Sequence, residues 1–591
     1  MAAFDYFVRF TIPGSCSRAR FLFFAAWALL TLCFSACHST LPHPDSDNGG
    51  LVLPAGFSAL VVIDSIDGAA RHLAVSDWGD IYVKLRLPNR GGNAALRDTD
   101  GDGRVDLVEK FGNYPERGNY GTAMRIHDGY LYFSSQLVVY RYRLDSGMLV
   151  PGGEPETVLT DDHPHGGHEH VAKPLAFDGR GYMYVPFGAP SNACQELNRV
   201  PYSQGKFPCP DLLEHGGIWR FEAGKTGLTQ RDGRLFATGL RSVLAFDFNP
   251  DDGELYAVMH GRDDLLRLWP NIYTPWQSAM LPSEELLRIT EGMDAGWPWC
   301  YYDQLQEKKV LAPEYGGDGN IIGGCDTSAR PLIGFPGHWA PNDMLFYKGS
   351  QFPARYRNGA FVAFHGSTNR APYPQAGYFV AFIPFDDGSP TGRWEVFADG
   401  FAGVDPVVDV SDAVFRPMGL AEGPDGSLYI ADSNKGKIWR ILYRGKSDKF
   451  GPAQLTAMEM RKMRSNIRTP NEEDDKIESE TLGEGSRLYS TYCGACHQGN
   501  GMGAPGRFPP LAGTDWVTGE PQRLIRLVLE GLEGPIEVNG ETYNGYMPPH
   551  AFLSDSELAD VISYIRSSFD NEASPVTTDE VKAMRVKLPL Q

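Results

Sequence analysis

One theme recurs loosely along most of this chain: a Gly/Asp/Asn turn followed by a short apolar strand, several times in the form x-D-G-x-L-Y-V. It is read at Val75–Val83, Ile126–Phe133, Phe177–Val185, Phe248–Val258, Tyr356–Phe364 and Glu422–Ile430. Alternating β-branched and aromatic residues after a D-G or G-x turn read as hairpins. Their return at long, irregular intervals, without a comparably long amphipathic helix between them, predicts propeller blades separated by inserted loops. The six instances predict an all-β, six-bladed β-propeller over residues 50–445, in preference to a large β-sandwich or a right-handed β-solenoid.

A chain of 591 residues has room beyond such a ring. Near its end stands Cys493-Gly494-Ala495-Cys496-His497. C-x-x-C-H is the attachment sequence for c-type haem, with two thiols for thioether bonds and a His for the iron. Two intervening residues let both thiols reach one porphyrin edge and place the His under the metal. A thiol redox pair or a zinc half-site is the alternative, but no second Cys pair lies nearby to complete a zinc site. A short helical stretch precedes the motif and a Gly-rich loop follows it, as in small class I cytochromes c. Met547, in Tyr546-Met547-Pro548-Pro549, is the expected second axial ligand. Ser554-Asp555-Ser556-Glu557 is a capping box opening a helix over Glu557–Ser568, with Leu558, Val561, Ile562 and Ile565 on one face. A small all-α cytochrome c domain is therefore expected at 484–570. A charged linker at 446–483, with a helix at 453–466, joins it to the propeller, and a tail at 571–591 carries little signal.

At the N-terminus, Arg9, Arg18 and Arg20 precede an apolar run from Phe21 to Leu32 that ends in Phe34-Ser35-Ala36-Cys37. That pattern reads as an export signal over residues 1–37, with a lipid added to Cys37, rather than a spanning helix. Phe34 departs from the usual lipoprotein pattern, and simple cleavage near Ala36 is the other reading. Either places the chain in the periplasm, where covalent haem attachment in bacteria also occurs. Of nine cysteines, three lie in the export segment and two in the haem motif, leaving Cys194, Cys209, Cys300 and Cys325. Four cysteines in an oxidising compartment allow three pairings, of which Cys194–Cys209 with Cys300–Cys325 is expected. A formal net charge of −20 argues against nucleic acid as a partner.

Residues 98–109 fit D-x-D-x-D-G-x5-E. Asp98, Asp100 and Asp102 offer oxygens, Gly103 the sharp turn, Arg104 its carbonyl, and Asp106 and Glu109 further carboxylates, so a structural calcium site is expected.

Further motifs stand in order: Gly239-Leu240-Arg241, His260-Gly261-Arg262-Asp263, Gly296-Trp297-Pro298, Tyr347-Lys348-Gly349 and Phe415-Arg416-Pro417-Met418-Gly419-Leu420. With Gly188-Ala189-Pro190-Ser191-Asn192-Ala193-Cys194-Gln195 and His365-Gly366-Ser367-Thr368-Asn369-Arg370, the set resembles the pyrroloquinoline quinone (PQQ)-dependent soluble glucose and sorbosone dehydrogenases across roughly residues 50–445. The resemblance implies PQQ on the axial face of a six-bladed propeller, a calcium ion on the quinone, and a His as general base. PQQ carries three carboxylates, and Arg241, Lys348 and Arg416 supply cations for them. Alignment to the family pattern H-x-x-[RK]-x-L-x-F selects His170 as base with Lys173 at the basic position, and His168 as second choice. The cofactor's calcium would rest on backbone oxygens near Trp297 and Pro298, with Asp263 a weaker candidate. Two departures, Ser242-Val243 after Arg241 and Met418 where the glucose enzymes have an Arg, argue against glucose itself.

The expected protein is thus a quinohaemoprotein dehydrogenase. It would oxidise a sugar or related alcohol or aldehyde, with electrons passing to the fused haem and on to an acceptor of the respiratory chain. Tethering keeps haem at high effective concentration beside its donor. Two other classes are kept: a cytochrome with a docking propeller that lacks PQQ chemistry, and a calcium-dependent lactonase-type hydrolase.

Overall fold

The computed structural model describes residues 41–87, 91–115, 121–163, 168–445, 450–470 and 483–588. The export and lipidation reading, Cys37 included, lies outside the described residues. So do the charge run at 472–475 and His165. Pro44–Gln591 forms one compact unit that holds both the propeller and the cytochrome. Among the described residues no helix is long and apolar enough to cross a membrane.

Six antiparallel sheets of four principal strands form the blades. The first runs Ala70–Val75, Ile81–Leu85, Asn93–Arg97 and Leu107–Phe111, and the second Met124–His127, Tyr130–Ser134, Val138–Arg143 and Glu156–Thr160. The third is Ala176–Phe177, Tyr182–Phe187, Gly217–Glu222 and Arg234–Thr238; the fourth is Val243–Phe248, Leu255–Met259, Glu284–Ile289 and Ile333–Phe335. The fifth is Pro341–Phe346, Gly359–Phe364, Phe379–Asp386 and Glu395–Ala398. In the sixth, Pro417–Glu422, Leu428–Asp432 and Ile438–Tyr443 are completed by the N-terminal strand Phe57–Ile63, which pairs Phe57 with Tyr443. This last-with-first pairing leaves no blade with a missing strand. Turns fall where the sequence places D-G and N-G signals, as at Asp128-Gly129 and Asp425-Gly426, where Gly has positive φ.

The first-named strand of each blade lines the axis. Neighbouring inner strands are stitched by carboxylates: Asp343 accepts from Leu420 N of the sixth blade (2.8 Å) and Asp247 from Phe346 N of the fifth (2.9 Å). Across the axis, Asp343 also accepts from Arg125 Nη2 of the second blade (2.6 Å). Aromatic rings fill the wedge between the fifth and sixth blades. Phe57 meets Phe352, Tyr356 and Phe397 edge-on with centroids 4.9–5.3 Å apart, each pair adding roughly 0.5–1.5 kcal/mol beyond area burial.

Large insertions rise from the ends where the inner strands begin. Two of them are closed by the disulfides Cys194–Cys209 and Cys300–Cys325, the expected pairing. The linker forms a helix at Pro452–Glu459 and a 3-10 turn at Met460–Met463, shorter than the sequence suggests. It is bound to the propeller by buried Met458, which accepts from Tyr356 Oη, and by Asn466, whose amide donates to Gly377 O.

The cytochrome packs helices Glu484–Tyr492, Pro521–Glu530 and Asp555–Ser567 around Leu488, Ile525, Leu558 and Ile562. Ser554 accepts from Glu557 N, as the capping box requires. The domain also holds the hairpin Leu532–Val538/Glu541–Met547, so it is not purely helical. The tail is ordered as a helix, Thr578–Lys587, that buries Val581. Its signal was present as a second capping box, Thr577-x-x-Glu580.

Candidate functional site

The propeller's candidate site is built where the inner strands begin. Gly239 has φ +72°, and a Cβ there would stand 2.1 Å from Asp294 Oδ1. That close turn delivers Arg241 just ahead of the strand Val243–Phe248. The buried guanidinium donates to Asn192 O (3.2 Å), Asn192 Oδ1 (2.9 Å), Gly261 O (2.8 Å) and Asp263 Oδ2 (2.9 Å). Asp263 also receives Arg199 Nη2 (2.9 Å) and Asn369 Nδ2 (2.5 Å), so its oxygens are occupied by cations and an amide rather than open to calcium. Burial would raise the Asp263 pKa, and Arg241 with Arg199 hold it well below the ordinary carboxylate value instead.

His170 sits beside this pair. Its Nδ1–H donates to Ala189 O (2.7 Å), and a carbonyl can only accept, so Nε2 carries the lone pair. Gly188 makes the approach feasible: a Cβ there would lie 2.5 Å from His170 O. Burial, then the charge of Arg241, keep His170 neutral with a pKa well below the usual imidazole value. Two more histidines share the pattern. His260 Nε2–H donates to Pro341 O (2.7 Å) and His338 Nε2–H to Ser278 O (2.9 Å), both with Asp263 in electrostatic range. Burial lowers His260 to about 4. His338 (φ +67°) and Ala340 (φ +57°) are held in the left-handed region, a cost of about 1–3 kcal/mol each that marks a constrained wall.

Arg416 opens the inner strand of the sixth blade. Its guanidinium donates to His365 O (3.2 Å), His365 Nδ1 (2.8 Å) and Gly366 O (2.6 Å). His365 therefore donates through Nε2 to Ser433 Oγ (2.7 Å). Burial, then Arg416, Arg71 and Arg86, push His365 well below its ordinary pKa. Arg71 lies in the inner strand of the first blade and Arg86 just past the second. Both were missed in the sequence, although Arg71 has the same start-of-strand position as Arg416.

Lys348 lies away from the expected site. It follows its inner strand where Arg241 and Arg416 precede theirs. Its backbone N–H donates to Glu422 Oε2 (2.8 Å), and its charge acts on Asp247 and Glu422. All three mark the far ends of strands six residues long, roughly 20 Å from the site. The motif order carried the residue but not its end of the strand.

Lys173 is a buried partner of Asp161 (2.8 Å). His168 Nε2–H donates to Gly188 O (2.9 Å), one carbonyl from His170's partner. Trp297 is brought alongside: its Nε1–H donates to the same Asn192 carbonyl that Arg241 uses, and Pro298 follows through a cis peptide. Met418 is buried on the axis, its sulfur against Asn342 Nδ2.

Asp98, Asp100 and Asp102 converge, with one carboxylate oxygen of each within 4.8 Å of the others. Asp98 also accepts from Gly101 N and Gly103 N. Arg104 ties this loop to Val61 O and Asp45. Asp106 instead accepts from Thr99, and Glu109 lies exposed on the first blade's outer strand opposite Ala95, outside the convergent trio.

In the cytochrome, Cys493, Cys496, His497 and Met547 line one largely apolar cavity with Leu524, Val528 and Ile562. His497 Nδ1–H donates to Pro509 O (2.9 Å), which fixes the ring and presents Nε2. Two adjacent thiols, an imidazole Nε2 and a thioether around one apolar space are a donor set that fits haem c. His550 is buried in the same wall.

A propeller with converging cations and neutral histidines at one end, in one unit with a domain built to hold haem, defines a redox protein of two parts. The chain belongs to the TrAA12-like family, which matches residues 51–444, and carries a cytochrome c domain, matched over residues 482–569. The cytochrome is 42% identical over 113 residues to cytochrome c-552 of Thermus thermophilus, covering 18% of this chain and 86% of that one. It is 32% identical over 108 residues to the fructose dehydrogenase cytochrome subunit of Gluconobacter japonicus, with 17% of this chain and 22% of that protein covered. The propeller shares its fold with the holo PQQ domain of Coprinopsis cinerea pyranose dehydrogenase (TM-score 0.52, 18% identity, 66% of this chain and 97% of that one). A Trichoderma reesei family AA12 carbohydrate-active enzyme matches likewise (TM-score 0.52, 19% identity, 67% and 97%).

Proposed function

We propose that this chain is a quinohaemoprotein dehydrogenase of a sugar or related alcohol or aldehyde. The observation that carries the reading is Arg241 and neutral His170 gathered at the same end of the propeller as Arg416, with a haem-binding domain in the same compact unit. PQQ, when bound, accepts hydride and later yields electrons one at a time. Arg241 and Arg416 would hold its carboxylates, with Trp297 supplying an aromatic wall beside Asn192. His170 Nε2 would take the proton of the substrate hydroxyl, a transfer suited to a neutral imidazole. Asp263 orients Arg241 and Arg199 and stays ionised. The haem, held by Cys493 and Cys496 with His497 and Met547 on the iron, has a ligand pair that favours a raised potential.

The reading extends to calcium in two places: at the cofactor, and at Asp98, Asp100 and Asp102, where the convergent carboxylates support a structural ion. It also extends to a periplasmic location with lipid on Cys37, supported by the Phe21–Leu32 run and by the need for haem attachment and disulfides. Electrons would leave to a respiratory acceptor.

The test is reconstitution of the haem-loaded chain with PQQ and calcium, then a screen of aldoses, ketoses, aldehydes and alcohols for haem reduction. Reduction that needs both PQQ and a substrate, and falls about 10²–10⁴-fold in His170→Ala, is the expected result. No PQQ binding and no reduction would refute it and leave a cytochrome with a docking propeller.

A further inference from the structure

The cytochrome segment from Gly494 to Phe508 lies over the end of the propeller that carries Arg416 and His260. Gly494 faces the side chain of Ala371, since a Cβ there would be 3.7 Å from Ala371 Cβ. Gly499 faces Val408 Cγ1 at 4.0 Å, and Gly506 faces Arg86 Nη2 at 3.3 Å, measured in the same way. From the other side, the propeller helix Leu265–Leu268 packs against Glu484–Tyr492, and its Arg267 lines the haem cavity.

Arg507 stands at this seam. A tight turn sets it, with Arg507 N and Phe508 N both donating to Ala504 O (2.9 and 2.8 Å) and its guanidinium 5.0 Å above the Phe508 ring. Its side chain lines the haem cavity and is exposed. Burial lowers the pKa of both His260 and Arg416, and the charge of Arg507 adds to the lowering. Arg86, beside Gly506, acts on Arg416 in the same way. Guanidiniums from two domains thus crowd one place in a chain whose net charge is −20. Like charges so gathered favour an anion between them.

We infer that Arg507 is a binding residue of the propeller's axial site: the cytochrome supplies a guanidinium to the polycarboxylate held there, alongside Arg416 and Arg86. This rests on the PQQ reading above. Arg507 also lines the haem cavity, so one residue would serve both cofactor sites. Donor and acceptor would be held at the seam only when the cytochrome is docked.

The test uses the full haem-loaded chain. PQQ affinity is measured by quenching of tryptophan fluorescence, for the wild type and for Arg507→Gln, Arg507→Lys and the control Arg526→Gln on an exposed helix face. The expected result is a Kd about tenfold or more weaker in Arg507→Gln, as for loss of a charge-assisted hydrogen bond. Arg507→Lys should recover part of the loss, Arg526→Gln should match the wild type, and the haem spectrum should be unchanged throughout. Tight PQQ binding that is equal in wild type and Arg507→Gln would overturn the inference and leave the PQQ reading intact. Wild-type protein that does not bind PQQ would overturn the reading itself. A haem spectrum altered in Arg507→Gln together with unchanged Kd would assign Arg507 to the haem cavity alone and also overturn the inference.

Discussion

Glu284 offers the sharpest test of the electrostatics behind the axial site. It opens the strand Glu284–Ile289 and is buried. Its oxygens accept from Gly261 N (2.9 Å) and Ala340 N (3.1 Å), one each from the loops that carry His260 and His338. Burial is the dominant influence. The two N–H groups and Arg241 pull the other way, Asp263 adds to the rise, and the carboxyl ends at about 8 against an ordinary 4.5. A folded-state pKa above the unfolded value means that the native state binds the proton more tightly. The associated stability is full below about pH 4.5 and is lost as pH rises to 8. Carried through, the shift amounts to roughly 5 kcal/mol in the buried limit. Glu284→Gln keeps the volume and stays neutral at every pH. It loses one acceptor for a backbone N–H, at a cost of about 1–3 kcal/mol. Guanidinium unfolding of the apo protein, followed by tryptophan fluorescence from pH 5 to 9, should show the variant slightly less stable than wild type at pH 5 and more stable at pH 9. A difference that stays constant across that range would refute the assignment of a protonated Glu284.

Three further outcomes are expected. Asp263→Asn removes a charge partner shared by buried Arg241 and half-buried Arg199 and should lower stability by about 3–5 kcal/mol, read as an earlier thermal midpoint by calorimetry; a change under 1 kcal/mol would show that Arg199 and Arg241 do not depend on it. Chelation of calcium should lower the thermal midpoint of the wild type, and Asp98→Asn should start lower and respond less, while an identical response in both would move the ion elsewhere. Met547→Leu should abolish the far-red sulfur-to-iron charge-transfer band and lower the haem potential, whereas retention of the band would assign the sixth ligand to another residue.

The blades were legible in the sequence because D-G turns and period-2 strands are local signals, and the ring follows from counting them. The haem site was equally open, since Cys493, Cys496 and His497 form one short motif and Met547 stands in a Pro-rich loop. The axial site was only partly so. Arg241 and Arg416 were found through short ordered motifs, but a strand has two ends, and motif order does not say which end a cation joins. Lys348 was misplaced for that reason. Arg71 and Arg86 carry no motif at all, and the groups their charges act on, His365 and Arg416, belong to other blades. Asp263 was read as a calcium candidate because a carboxylate shows its charge in the sequence but not the guanidiniums around it. The Thr578–Lys587 helix was missed despite a legible cap, because its single buried anchor, Val581, gives no periodic face.

Completion of the sixth blade by Phe57–Ile63 has a consequence for assembly. Its partner strand, Ile438–Tyr443, is almost the whole propeller away in the chain, so the ring cannot close until both ends of the propeller have been synthesised. Until then the sixth blade presents unpaired strand edges, the kind of surface that invites wrong partners. The linker anchors at Met458 and Asn466 hold onto the fifth blade at Tyr356 and Gly377, so the path to the cytochrome runs along a blade next to the closing one. Where the cytochrome meets the propeller, Arg267 covers one side of the haem cavity.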